Sequence, residues 1–125
     1  MWPVVVVRVL GVLFAVGTLT QAILAGRFVT GDVDLLRVHG AVGGSLVLIP
    51  MVHMVAAVLL WWLGRGPVWY LAYPPVLFVL VVTQIGAGGA RNLALHIPLG
   101  TALVGVAAWN LTWSFGFRRH REPAI

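Results

Sequence analysis

The chain of 125 residues has no cysteine, and only three of its side chains are acidic. The missing thiols exclude disulfides, thiolate zinc sites, iron–sulfur clusters and thiol catalysis together. Any redox or acid–base chemistry must use histidine or neutral polar groups. Charge of either sign is scarce: 9% of residues are charged, against about 25% in a soluble domain, while 61% are hydrophobic and the mean hydropathy is +1.02. Such a chain cannot cover a water-facing surface, so it reads as a membrane protein. All eight basic residues are arginine, and the pI is about 11.5. A nucleic-acid partner is nonetheless excluded, because the arginines stand singly at segment ends, where membrane proteins place interfacial anchors.

The charges leave uncharged runs of 18, 27, 25 and 26 residues, each long enough to cross roughly 30 Å of hydrocarbon at about 1.5 Å per residue. The pattern predicts one all-α domain over 1–125, an integral membrane four-helix bundle with spans near 4–26, 35–62, 68–89 and 93–116. The first run lacks a basic leader and a small-residue cleavage site, and is read as a retained helix. Breakers mark the turns at Gly31-Asp32, Gly64-Arg65-Gly66-Pro67 and Gly88-Gly89-Ala90-Arg91-Asn92. Connections this short imply an up-down course. Arg8, Arg65, Arg118, Arg119 and Arg121 fall on the side of the termini, against Arg27, Arg37 and Arg91 on the other. The positive-inside bias thus puts the termini of a cell-membrane protein in the cytoplasm. Trp2, Trp61, Trp62, Trp69, Trp109 and Trp113 gather towards that same side as an aromatic belt.

An internal repeat directs attention to a site. Thr20-Gln21 matches Thr83-Gln84 at an offset of 63, and His39 and Gly43 match His96 and Gly100 at an offset of 57. Two helix hairpins of like design are implied, related by a pseudo-twofold along the membrane normal. His39 and His96 then lie at one depth, about a turn inside the second and fourth spans. Facing imidazoles at equal depth suit the two axial positions of a haem iron, and both would be the metal ligands. Gly40, Gly43, Gly44, Ser45, Gly100, Thr101 and Ala102 leave room beside them for a porphyrin. The competing account is close helix packing, with each histidine hydrogen-bonded to a neighbouring helix. Gln21 and Gln84 share the same level, either as hydrogen-bond partners of a ligand or haem substituent or as bonds between helices. Arg27, Arg37 and Arg91 rim this face, placed for haem propionates or for interfacial anchoring and pairing with Asp32 and Asp34.

His53 follows His39 by 14 residues, within about 40° of the same helix face and roughly 21 Å deeper. That spacing resembles the diheme helices of the cytochrome b family. The repeat, however, sets Asn110 opposite it, a poor iron ligand. One haem b per chain is expected, with His53 a secondary site only, acting in proton relay, quinone contact or packing. Pro50, three residues earlier, is placed to kink the helix. His120, within Arg118-Arg119-His120-Arg121, reads as a solvated tail residue.

Gln84-Ile85-Gly86-Ala87-Gly88-Gly89 leading to Leu95-His96-Ile97-Pro98-Leu99-Gly100, and Gln21-Ala22-Ile23-Leu24-Ala25-Gly26 leading to Val38-His39-Gly40-Ala41, resemble one half of a haem A synthase. The resemblance covers nearly the whole chain. It implies a four-helix unit holding haem between histidines of its second and fourth helices. The catalytic half of that family carries glutamate three residues before its second-helix histidine and often arginine directly after it. Here Leu36 and Gly40 stand in those places. Haem binding is therefore the implied property, rather than oxidation of a haem methyl. The expected function is single-electron transfer near the non-cytoplasmic leaflet, with a quinone or redox protein as partner. The alternative is a haem-free accessory or assembly subunit of a larger membrane complex, or a homo-oligomer, packed through its glycine-rich helices.

Overall fold

In a computed structural model, which describes residues 2–117, the chain is helical, and no strand occurs among the described residues. Arg118, Arg119, Arg121 and His120 lie outside them. The helices are α1 (Trp2–Val29), α2 (Leu35–Ser45), α3 (Leu48–Trp62), α4 (Tyr73–Gly89) and α5 (Leu93–Gly116), with a short 3₁₀ turn at Val68–Ala72 leading into α4. Together they make four segments long and apolar enough to cross a membrane: Trp2–Val29, Leu35–Trp62, Val68–Gly89 and Leu93–Gly116. Their outward faces are studded with exposed aliphatic side chains such as Val5, Val9, Val16, Leu19, Val55 and Val79, the surface that a hydrocarbon solvent accepts.

The span expected as one helix over 35–62 is interrupted after Ser45 and resumes at Leu48. Proline supplies the reason. Pro50 has no N–H to offer the Leu46 carbonyl, and its ring crowds that carbonyl. The backbone tightens instead, so that Leu46 N–H donates to Gly43 and Ile49 N–H donates to Leu46, each at 3.2 Å. The third predicted span likewise starts as a 3₁₀ turn, and Pro74 and Pro75 fall in the first turn of α4, where a missing N–H costs nothing. At the α4–α5 turn the left-handed position belongs to Arg91 (φ 57°), not to one of the glycines before it. Asn92 then caps α5, its side-chain oxygen accepting from the Leu95 N–H at 3.2 Å.

Helix α1 packs against α2, α3 and α5, and α4 packs against α3 and α5. The first turns of α1 lie beside the last turns of α5: Arg8 Nε donates to the Ser114 carbonyl at 3.0 Å, and a Cβ at Gly11 would strike the Asn110 amide. Burial is concentrated at this end. Every buried residue of α1 lies at or before Thr18 and every buried residue of α5 at or after Leu103, while α2 buries none. Val7, Phe14, Ala56, Leu60, Tyr70, Leu77, Leu103 and Ala107 form the core. Between apolar helices in lipid, association rests on such packing and on interhelical hydrogen bonds rather than on hydrophobic transfer.

Candidate functional site

The packed end holds a sealed polar network. His53 and Asn110 are both fully buried. The Tyr70 hydroxyl, carried by the 3₁₀ turn, donates to Asn110 Oδ1 at 2.6 Å and lies 2.9 Å from His53 Nε2. With its only proton given to Asn110, the tyrosine oxygen accepts from the histidine, which fixes the His53 proton on Nε2. That nitrogen is thereby engaged. Tyr73 meets the His53 ring edge-on at 5.3 Å, and Tyr70 stacks on Trp113 at 4.0 Å. Trp69 and Trp109 complete the aromatic cluster, with centroids 5.9 Å apart. Spacing pointed to His53, and the repeat pointed to Asn110 opposite it. The tyrosine that joins them was missed, because it sits 17 residues from one and 40 from the other and breaks no sequence pattern.

At the other end the structure brings His39 of α2 and His96 of α5 together, with ring centroids 6.0 Å apart and ring planes at 66°. Both are half-buried. His96 Nδ1 lies 2.9 Å from the main-chain carbonyl of Gln84. A carbonyl can only accept, so this contact puts the proton on Nδ1 and leaves Nε2 with a lone pair. The Gln84 side-chain amide faces that lone pair at 3.4 Å. The sequence located Gln84 at this level but could not reveal that its backbone, rather than its side chain, sets the tautomer. His39 also lies against the backbone of Gln21, yet its buried Nδ1 makes no hydrogen bond among the described residues.

The glycines divide into two groups. Gly43 and Gly100 seat the two glutamines: a Cβ at Gly43 would come within 3.0 Å of Gln21 Oε1, and one at Gly100 within 2.8 Å of Gln84 Nε2. Gly88, which sequence reading took only as a turn residue, seats the His96 ring, where a Cβ would lie 2.8 Å from Cε1. Gly40 and Gly44, by contrast, have open space where a side chain would go. Close packing of α2 on another helix therefore does not explain those two glycines. Of the rim arginines, Arg27 donates through Nε and Nη2 to Asp32. Arg37 and Arg91 are exposed and form no ion pair among the described residues.

Several features bear on whether these residues fit a haem. Two imidazoles bound on opposite sides of one metal ion, with bonds like the roughly 2.0–2.1 Å of zinc–imidazole, hold their centroids about 6 Å apart. The observed 6.0 Å is close to that span, with the ring planes at 66° and both His96 ring nitrogens facing Gln84. Among the described residues no three His, Cys, Asp or Glu side chains gather as a metal-binding group. Gln21 Nε2, His39 Nδ1 and Gln84 Oε1 are buried here without a hydrogen-bond partner among the described residues, as are His53 Nδ1, Asn110 Nδ2 and the Tyr73 hydroxyl at the packed end. The donor set fits the group. Compared with known proteins, the chain matches no protein family, no curated sequence and no solved structure.

Proposed function

We propose that this chain is a b-type haem protein of the cell membrane, binding one haem between His39 and His96 and passing single electrons near the non-cytoplasmic leaflet. In this reading two repeated hairpins run up and down across the bilayer with both termini in the cytoplasm, in keeping with the arginine count. The observation that carries it is the meeting of two half-buried imidazoles from different helices, 6.0 Å apart, in the half of the bundle that buries little else. The Gln21/Gly43 and Gln84/Gly100 seats repeat about the same centre and support the two-hairpin design.

A bound haem would be held by His39 and His96 and would supply a one-electron iron couple, a histidine pair favouring electron transfer over oxygen activation. The protein's part is orientation. The Gln84 carbonyl holds the His96 Nδ1 proton and leaves the lone pair on Nε2, the arrangement by which ligating histidines are commonly fixed and made more basic. The Gln84 amide releases that lone pair when a ligand takes it. Arg37 and Arg91 offer guanidinium groups to the carboxylates of the cofactor, while Arg27 is held by Asp32. Burial of His53, with Nε2 engaged by Tyr70, is in keeping with a single site per chain.

One observation favours a second reading, a haem-free subunit of a larger complex: His96 already faces Gln84 through both ring nitrogens. A visible spectrum of the purified, haem-supplied protein separates the two. Low-spin bands that sharpen on reduction, and that vanish in both His39→Ala and His96→Ala, are expected for the haem protein. A colourless parent, or an unchanged spectrum in both variants, would overturn it.

A further inference from the structure

Away from the histidines, a shallow groove of about 400 Å³ runs along the outer surface where α1 meets the end of α5, lined by Val5, Arg8, Val9, Val12, Leu13 and Phe115. Five of the six are apolar and exposed. The sixth closes the groove with a cation in a defined pose. Arg8 reaches back along α5, giving Nε to the Ser114 carbonyl at 3.0 Å and Nη2 to the Phe115 carbonyl at 3.5 Å, with its guanidinium 5.0 Å from the Phe115 ring centroid. Those carbonyls belong to the last turn of α5, which has no later turn to bond them. Two of the five guanidinium N–H groups are used in this way among the described residues.

We infer that this groove is a specific seat for one anionic phospholipid of the leaflet that holds the chain termini, with its phosphate on Arg8 and an acyl chain along Val9, Val12 and Leu13. Charge complementarity selects the occupant. The groove walls accept hydrocarbon, and among the described residues that line it the one ionic group is a cation held at the helix end, the level at which a phosphate meets the chains beneath it. An apolar strip alone would take any lipid. The fixed guanidinium makes an anionic headgroup the preferred one, and the chain dependence separates a lipid from free phosphate.

Native mass spectrometry of the full chain tests this, after incubation in detergent with equal amounts of phosphatidylglycerol and phosphatidylcholine of matched acyl chains. The parent should retain phosphatidylglycerol about fivefold over phosphatidylcholine, the ratio expected for one basic residue at an anionic surface. Arg8→Gln should bring that ratio close to one. Arg37→Gln, a cation at the opposite rim, should leave it unchanged. Leu13→Trp, which blocks the acyl path without touching the cation, should lower retention of both lipids. Arg8→Lys keeps the charge and should hold an intermediate preference, which guards against a general loss of fold in the glutamine variant. A preference that survives Arg8→Gln in folded protein would overturn the inference, as would displacement of the lipid by millimolar inorganic phosphate.

Discussion

His53 and His96 occupy opposite ends of one bundle, and their surroundings differ in kind. His53 is fully buried, engaged by Tyr70 and walled by Tyr73. His96 is half-buried, held by a main-chain carbonyl on one nitrogen and faced by a movable amide on the other. In the first arrangement Tyr70 holds Nε2, while His53 Nδ1, Asn110 Nδ2 and the Tyr73 hydroxyl are buried without a hydrogen-bond partner among the described residues, so part of the cost of burial is left unoffset. The second holds an imidazole in one tautomer while leaving its lone pair within reach. The two histidines thus differ in access: His53 is closed off by aromatic side chains, whereas His96 is half-buried with Nε2 facing a side-chain amide. The consequence is a double dissociation: changes around His96 should alter haem content with little effect on folding, and changes around His53 should do the reverse.

The largest effect is expected from Gly88→Val. The added side chain would meet His96 Cε1 and Nδ1 at about the distances of 2.8 and 3.0 Å calculated for a Cβ there, and the ring must move off the Gln84 carbonyl. Haem affinity should fall about 10- to 100-fold, the range for loss of a ligand's outer-shell partner. Titration of the apoprotein with haemin checks it. The unfolding midpoint in detergent should shift little, since α2 buries no residue in this half. Next comes Tyr70→Phe, which removes the hydroxyl shared by His53 and Asn110. A loss of about 1–2 kcal/mol is expected, the upper range for hydrogen bonds between membrane helices. Denaturant unfolding in mixed micelles measures it, and the haem spectrum of the folded fraction should be that of the parent. If Tyr70→Phe bleached the haem or Gly88→Val unfolded the chain, the contrast between the two ends would fail.

How far the sequence carried this contrast depended on whether the information was periodic. The four spans follow from uncharged runs, and His39 and His96 from a repeat offset, because a regular helix converts residue number into depth and direction. Span ends moved outwards at α1, from the expected 4–26 to 2–29, since interfacial residues carry no sharp signal. The break at Ser45 to Leu48 was foreshadowed only as a kink at Pro50; how a backbone absorbs a missing N–H depends on the neighbours available to it. Least legible were the contacts that cross between helices outside the repeat. Tyr70 meets Asn110 at a separation of 40 residues, and Gly88 meets His96 through a turn whose left-handed residue is an arginine. The repeat pairs Gln21 with Gln84, and the structure sets them against Gly43 and Gly100, yet the choice between side chain and carbonyl at His96 is a matter of local backbone geometry that no spacing encodes.

A smaller effect should follow from Gln84→Ala. This variant keeps the carbonyl that holds His96 Nδ1 and deletes only the amide facing Nε2 at 3.4 Å. One weak hydrogen bond then no longer competes with an incoming ligand, so haem should bind a few-fold faster, in line with about 0.5–1 kcal/mol. Stopped-flow mixing of apoprotein with haemin reads that rate. A slower rate with lowered stability would mean that the amide braces the helices, as the haem-free reading requires.

The smallest change in haem content is expected from His53→Ala, and it is the strictest test of the division between the two ends. A second haem at this level would need either His53 Nε2, which is engaged as a donor to Tyr70, or Nδ1, which is buried among side chains, and a further ligand from across the bundle, where Asn110 stands already bonded to the same hydroxyl. Reaching iron would require breaking a sealed network to expose one imidazole and an amide that binds iron poorly. Removing the ring instead leaves Tyr70 bonded to Asn110 and opens a cavity, so stability should drop while the cofactor count holds. A pyridine haemochrome assay should therefore return about one haem per chain for both parent and variant, the single bis-histidine site expected of such a unit. Two haems in the parent falling to one in the variant would show that the 14-residue spacing, rather than the hydrogen bonding, was the better guide to what His53 does.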